Sequence, residues 1–177
     1  GVVEPSCRRA AASTRNKRVG LIATAASVRS GAYERTIAGL DGDITVISKA
    51  CPLFVPLVEN GRFQPGDTVI ETVAREYLEP LRDTGIDTLI MGCTHYPLLA
   101  EVIGGIMGPD VTLVDSGAEA ARSLKRQLTE RELLADRRGG EMTLYASDRP
   151  EDFGALAGMF LGQPLQGAVR PVDIEKY

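Results

Sequence analysis

The chain has 177 residues, of which 44% are apolar and 25% charged, with a formal net charge of −4, the balance of an ordinary soluble globular protein with enough residues to bury a core. That charge offers no attraction to nucleic acid or an anionic membrane, and basic pairs such as Arg8-Arg9 and Arg137-Arg138 read as solvated surface. No stretch approaches the ~20 apolar residues that a bilayer span needs, and three cysteines without C-x-x-C spacing point to a reduced, cytoplasmic setting.

The opening Gly1-Val2-Val3-Glu4-Pro5 has neither a methionine nor a signal-peptide pattern and reads as the cut edge of a longer chain. Residues 4–13 suit a short helix, with Pro5 in its first turn and alanines after it. Val19-Gly20-Leu21-Ile22-Ala23 is a buried strand closed by Thr24. Ser27 can cap a helix running through Tyr33 and Ile37 to Leu40. Ile44-Thr45-Val46-Ile47 is a second strand. Residues 51–61, with two prolines and little period, suit a loop with an apolar anchor. Asp67 can cap a helix whose stripe is Val69, Val73, Tyr77, Leu78 and Leu81, with Gly85 beyond its end. Thr88-Leu89-Ile90-Met91-Gly92 is a third strand, and a helix is expected from near Pro97. Val111-Thr112-Leu113-Val114 is the fourth strand, followed by Asp115-Ser116-Gly117 and a helix over 118–134. Residues 137–141 form an exposed turn, 143–146 a late strand and 150–161 a last helix. Strands alternating with helices of this length define an α/β protein with a mainly parallel sheet.

In such sheets, chemistry gathers at the carboxyl ends of strands. Three ends carry suitable groups: Thr24 with Ser27, Cys93-Thr94-His95, and Asp115-Ser116. Cys93 stands between a buried strand and a helix start, a setting that favours the thiolate through free backbone amides and the helix dipole. A lone cysteine at a strand end is more often a small buried hydrophobe than a catalyst. His95 could be structural; as the single histidine it argues against a Cys/His metal site. A Cys/His nucleophile pair is conceivable, although no oxyanion hole is evident. Asp115 and Ser116 suit a helix cap and a cleft wall equally.

Met91-Gly92-Cys93-Thr94-His95-Tyr96-Pro97-Leu98-Leu99 resembles the second cysteine motif of glutamate racemases, members of the aspartate/glutamate racemase superfamily. Two further stretches agree in order and spacing. Arg18-Val19-Gly20-Leu21-Ile22-Ala23-Thr24 with Ser30-Gly31-Ala32-Tyr33 is similar to a strand-and-helix unit of that family. Lys49-Ala50-Cys51-Pro52-Leu53-Phe54-Val55-Pro56-Leu57-Val58-Glu59 is similar to its acidic loop. Related aspartate racemases usually carry an acidic residue where this chain has His95, which favours glutamate.

The resemblance implies two pseudo-symmetric domains, with residues 1–113 forming one and 114–177 the carboxyl-terminal part of the other. It also implies that an amino-terminal third, with the first cysteine and an Asp-Ser-Gly motif, is missing; Cys7 matches no such motif. On this resemblance no pyridoxal phosphate, metal or other cofactor takes part. Cys93 is one of two cysteine bases, with His95 and Glu59 assisting its proton state. Thr94, His95, Thr24 and Ser27 bind substrate carboxylates, and Cys51 packs. Glutamate is the small-molecule substrate, D-glutamate for peptidoglycan the product, a homo-oligomer the assembly of the full-length protein, and the bacterial cytoplasm its location. Another superfamily activity, such as aspartate racemisation, and a non-enzymatic fragment that only binds a partner are the alternatives. Lacking partner strands, the tail should expose Val114, Leu124, Leu128 and Phe160.

Overall fold

The four apolar runs become the strands of one parallel sheet, β1 (Arg18–Ala23), β2 (Thr45–Ala50), β3 (Thr88–Gly92) and β4 (Thr112–Asp115), in the order β2-β1-β3-β4. The computed structural model describes residues 1–135, 139, 142–165, 167 and 169–176 and divides into two compact units, Gly1–Leu134 and Ala135–Tyr177. The α/β class with a parallel sheet is therefore the one the alternation of elements called for. Arg137, Arg138, Gly140 and Glu141 of the expected turn lie outside the described residues.

Helices cover both faces of the sheet, so its central strands are apolar on both sides. Val19, Leu21, Ile22 and Ala23 of β1 and Leu89 and Ile90 of β3 have no solvent exposure. On one face α1 (Val3–Ser13), α3 (Ala32–Leu40) and α7 (Ser116–Glu130) pack, and Cys7, Ala10, Tyr33 and Ile37 join Val19, Leu21, Ile90 and Val114 in one cluster. On the other lie α5 (Thr68–Arg82) and α6 (Ala100–Met107). Asp67 caps α5 as expected, accepting from the Val69 amide at 2.9 Å. The stripe, however, is Ile70, Ala74, Tyr77, Leu78 and Leu81, while Val69 is exposed. The 70, 74, 77, 78, 81 series keeps to one face of a 3.6-residue helix, and position 69 falls about 80° beyond its edge.

Four local expectations change. The helix after β1 is two helices, α2 (Ala25–Ser30) and α3, broken where Gly31 adopts a left-handed φ of 62° that glycine takes without a steric penalty. Its cap is Thr24 rather than Ser27: the Thr24 hydroxyl accepts from the Ser27 amide at 3.3 Å, because the helix starts right behind the strand. The region 51–61 contains a six-residue helix, α4 (Phe54–Glu59), since Pro56 sits in its first turn, where no intrahelical N–H is needed. The helix expected at Pro97 begins as a 3-10 turn, Tyr96–Leu99, and becomes α-helical only at Ala100.

Val114 is buried, 1% exposed between its neighbours, rather than bare. It pairs with Ile90 in the β3–β4 ladder and joins the cluster under α1. Leu124 is exposed, whereas Leu128 and Phe160 are only partly so. Asp115 is a helix cap, accepting from the Gly117 and Ala118 amides at 2.8 and 3.0 Å.

Within the unit 135–177, α8 (Pro150–Leu161) packs on a two-residue strand β5 (Tyr145–Ala146), which pairs in parallel with β6 (Arg170–Pro171). The ladder bonds run from the Arg170 and Val172 amides to the Leu144 and Ala146 carbonyls, both at 2.9 Å, so Pro171 between them needs no N–H on that side. Among the described residues no helix is long and apolar enough to cross a membrane.

Candidate functional site

The strand order reverses between β1 and β3. From β1 the chain moves outward to β2, then returns to the other side for β3. Connections leaving the carboxyl ends of β1 and β3 therefore diverge, and the crevice they leave is where α/β sheets bind ligands. Ala23 and Gly92, the last residues of the two strands, are register partners. Thr24 and Cys93 follow them directly, so the switch point lies between these two residues.

Gly92 permits this approach. A β-carbon there would lie 2.9 Å from Leu21 Cδ1 and 3.1 Å from the Ile22 carbonyl oxygen. Gly92→Ala should cost about 1–3 kcal/mol through overpacking, measured as a fall in the denaturation midpoint. An unchanged midpoint would show that the strand end relaxes freely.

Cys93 is half-buried, whereas Cys7 and Cys51 are wholly excluded from solvent. Its sulfur lies 3.9 Å from His95 Nδ1. The Thr94 hydroxyl is 3.2 Å from the same nitrogen, and His95 Nε2 is 3.0 Å from Glu59 Oε1. A carboxylate can only accept, so Nε2 is the donor to Glu59; with one proton on the ring, Nδ1 is then the acceptor facing Cys93 and Thr94. Cys93, Thr94, His95 and Glu59 thus form one contiguous group. Thr24 and Ser27 bond to each other, hydroxyl to hydroxyl at 3.1 Å, at the neighbouring strand end.

The electrostatics of Cys93 differ from the expectation. Burial raises its pKa above the ordinary thiol value, hydrogen bonds from the backbone amides of His95 and Thr94 and from the Thr94 hydroxyl draw it part of the way back, and Glu59 adds a small upward push. The helix that follows starts as a 3-10 turn at Tyr96 and runs on as α6 from Ala100, and burial outweighs the backbone amides that face the sulfur. The resting residue is a thiol. Burial drives Cys7 and Cys51 further, each to about 12. Alkylation of the folded chain near neutral pH should therefore label Cys93 first, with a rate that climbs with pH, and Cys93→Ser should remove that labelling. Faster labelling of Cys7 or Cys51, read by mass spectrometry of peptides, would reverse the ranking.

Two contacts were not legible in the sequence, although the residues that make them were named there. Ser116 Oγ donates to the Met91 carbonyl at 2.9 Å, and the Tyr33 side chain bonds to Ser116, bracing β3 two residues before Cys93. Tyr96, fully buried, donates to the Cys51 carbonyl at 3.0 Å and packs edge-on against Phe54. The aromatic residues were visible in their motifs, but the carbonyl partner was not. Among the described residues no group of three His, Cys, Asp or Glu side chains could hold a metal ion.

A half-exposed thiol, an imidazole and a carboxylate, three groups able to hold a proton, thus lie together at the switch point. Residues 1–124 match the family described as Asp/Glu/Hydantoin racemase, and the chain belongs to that family. It is 46% identical over 176 residues to a glutamate racemase of Geobacter metallireducens, covering 99% of this chain and 64% of the relative. Glutamate racemase isoform RacE1 of Bacillus anthracis superposes with a TM-score of 0.89 at 35% identity, over 98% of this chain and 64% of that one. The glutamate racemase of Francisella tularensis in complex with D-glutamate superposes with a TM-score of 0.88 at 34% identity, over 99% of this chain and 64% of that one. The chain thus spans somewhat less than two thirds of the length of these relatives.

Proposed function

We propose that this chain is the Cys93-bearing portion of a glutamate racemase that uses two cysteines as bases and no cofactor. One observation carries the reading above the others. The single cysteine with solvent access sits at the switch point with an imidazole beside its sulfur and a carboxylate behind the imidazole. The family membership and the relatives named glutamate racemase support the substrate.

Racemisation needs a base on one face of the α-carbon and an acid on the other. Cys93 as a thiol donates its proton to the carbanion from its side. In the reverse direction it acts as a thiolate, having passed its proton to His95 Nδ1 while Glu59 stabilises the resulting imidazolium. Thr94, with Thr24 and Ser27 at the adjacent strand end, offers hydroxyls to the substrate carboxylates. The second thiol would belong to the part of the relatives that this chain does not span. Residues 1–113 would then form one racemase domain and 114–177 part of the other. The product, D-glutamate, would serve peptidoglycan synthesis in the bacterial cytoplasm.

The test is a chimera in which this chain replaces the matching 64% of the Geobacter metallireducens relative. It should interconvert the glutamate enantiomers from either side. A folded chimera that racemises aspartate and leaves glutamate untouched would overturn the substrate, and one inactive on both would overturn the reading.

A further inference from the structure

Glu59 follows β2 and Cys93-Thr94-His95 follows β3, yet β1 stands between those two strands in the sheet. No ladder hydrogen bond therefore links the two connections, and the 3.0 Å contact between Glu59 and His95 needs another means of alignment. We propose that Tyr96 is a positioning residue for this group, its buried hydroxyl and ring clamping the connection after β3 to helix α4, which carries Glu59.

The clamp has two parts. The Tyr96 hydroxyl donates to the Cys51 carbonyl, at the point where the chain leaves β2. The Tyr96 ring meets Phe54, the first residue of α4, at 5.2 Å and 89°, and Phe54 in turn meets Tyr77 of α5 at 5.3 Å and 71°. Such edge-to-face pairs fix ring orientation as well as distance. Phe54, Val58, Cys51 and Tyr96 have no solvent exposure, so the clamp lies in close-packed interior that transmits displacement instead of absorbing it. Glu59 is the last residue of the same helix, and five residues of α-helix place it about 7.5 Å along the axis from Phe54. A shift of Phe54 is carried to the Glu59 carboxylate. His95 directly precedes Tyr96 in the chain, so the same anchor holds its ring from the other side.

The catalytic meaning of this clamp rests on the racemase reading, but its geometry is testable in the 177-residue chain without any activity. His95 is the single histidine, so the imidazole nitrogens of the labelled chain give one set of resonances. Their positions report tautomer and hydrogen bonding. Glu59→Gln marks where the Nε2 resonance moves when the carboxylate is lost. Tyr96→Phe, which removes one oxygen and keeps the ring, should move that resonance most of the way to the same position. Adding Glu59→Gln to Tyr96→Phe should then change it little. Phe54→Leu should act in the same direction. Ile106→Val, a comparable loss from the core on α6, should leave the resonance at its wild-type position. The proposal is overturned if Tyr96→Phe matches wild type while Glu59→Gln does not, or if Ile106→Val shifts the resonance as far. Unfolding of both Tyr96→Phe and Phe54→Leu would equally overturn it, by showing that these rings hold the core and do not aim the site. An inactive chimera leaves this spectrum unaffected, so the two readings fail separately.

Discussion

Cys93→Ser in the racemase chimera should lower glutamate racemisation by about 10²–10⁴-fold, the usual contribution of a positioned acid/base group. The serine hydroxyl is far too weak an acid to donate at neutral pH, and its alkoxide is not populated, so both directions lose the same step. Glu59→Gln and His95→Asn should have smaller effects, because they touch the thiol's proton partner and leave the thiol in place. The equilibrium constant between enantiomers is unity, so kcat/KM must fall equally in the two directions for any variant. Asymmetry belongs in kcat and KM separately, where the base and acid roles of Cys93 differ. Progress curves from pure L- and pure D-glutamate measure this. Equal kcat losses from both sides would remove His95 and Glu59 from a role confined to Cys93. The 177-residue chain alone should show no racemisation. Its other thiols, Cys7 and Cys51, are inaccessible and pushed up to about 12, so only one face of the α-carbon has a competent group.

Asp87→Ala should destabilise the chain by about 3–4 kcal/mol, the cost of leaving several buried donors without an acceptor. Asp87 is 8% exposed at the start of β3. Its carboxylate accepts from the Thr14 hydroxyl at 2.7 Å, the Arg15 and Asn16 amides at 2.6 and 2.9 Å, and the Thr88 hydroxyl at 3.0 Å. These bonds tie the turn before β1 to β3 at the end of the sheet away from the site. Burial by itself would raise the Asp87 pKa, but the four hydrogen bonds outweigh it and hold the carboxyl below the usual range. A folded value below the unfolded one means that the contribution is fully present above pH ~3.9 and is lost as pH falls through the folded value. Denaturant unfolding across that acid window should show a falling limb in the wild type that flattens in Asp87→Ala. A variant within about 0.5 kcal/mol of wild type would show that solvent replaces the carboxylate.

The strands were legible because their signal is local. Leu21-Ile22-Ala23 and Leu89-Ile90-Met91 are continuous apolar runs of strand length, and the span Thr88–Gly92 coincides with the sequence expectation. So did the Asp67 cap, which needs only a carboxylate two residues before a free amide. The short helix α4 was hidden because two prolines suppress periodicity over a stretch too short to show it. The left-handed break at Gly31 was hidden because glycine permits many conformations and commits to none. Beneath α7, Val114 was misjudged, since its burial depends on α1, more than a hundred residues earlier.

The sequence by itself determined the parallel α/β class, the placement of Cys93, Thr94 and Thr24 at strand ends, and the racemase family. Each follows from residues near one another in the chain, or from a motif carried whole. Only the tertiary structure decided the order β2-β1-β3-β4, and with it the switch point between Thr24 and Cys93. It alone brought Glu59 to His95 across 36 positions of sequence, and it alone set the Cys93 thiol above its ordinary value through burial. Strand pairing, side-chain encounter and desolvation are sums over groups distant in the chain, and a local pattern holds no record of which distant groups will arrive.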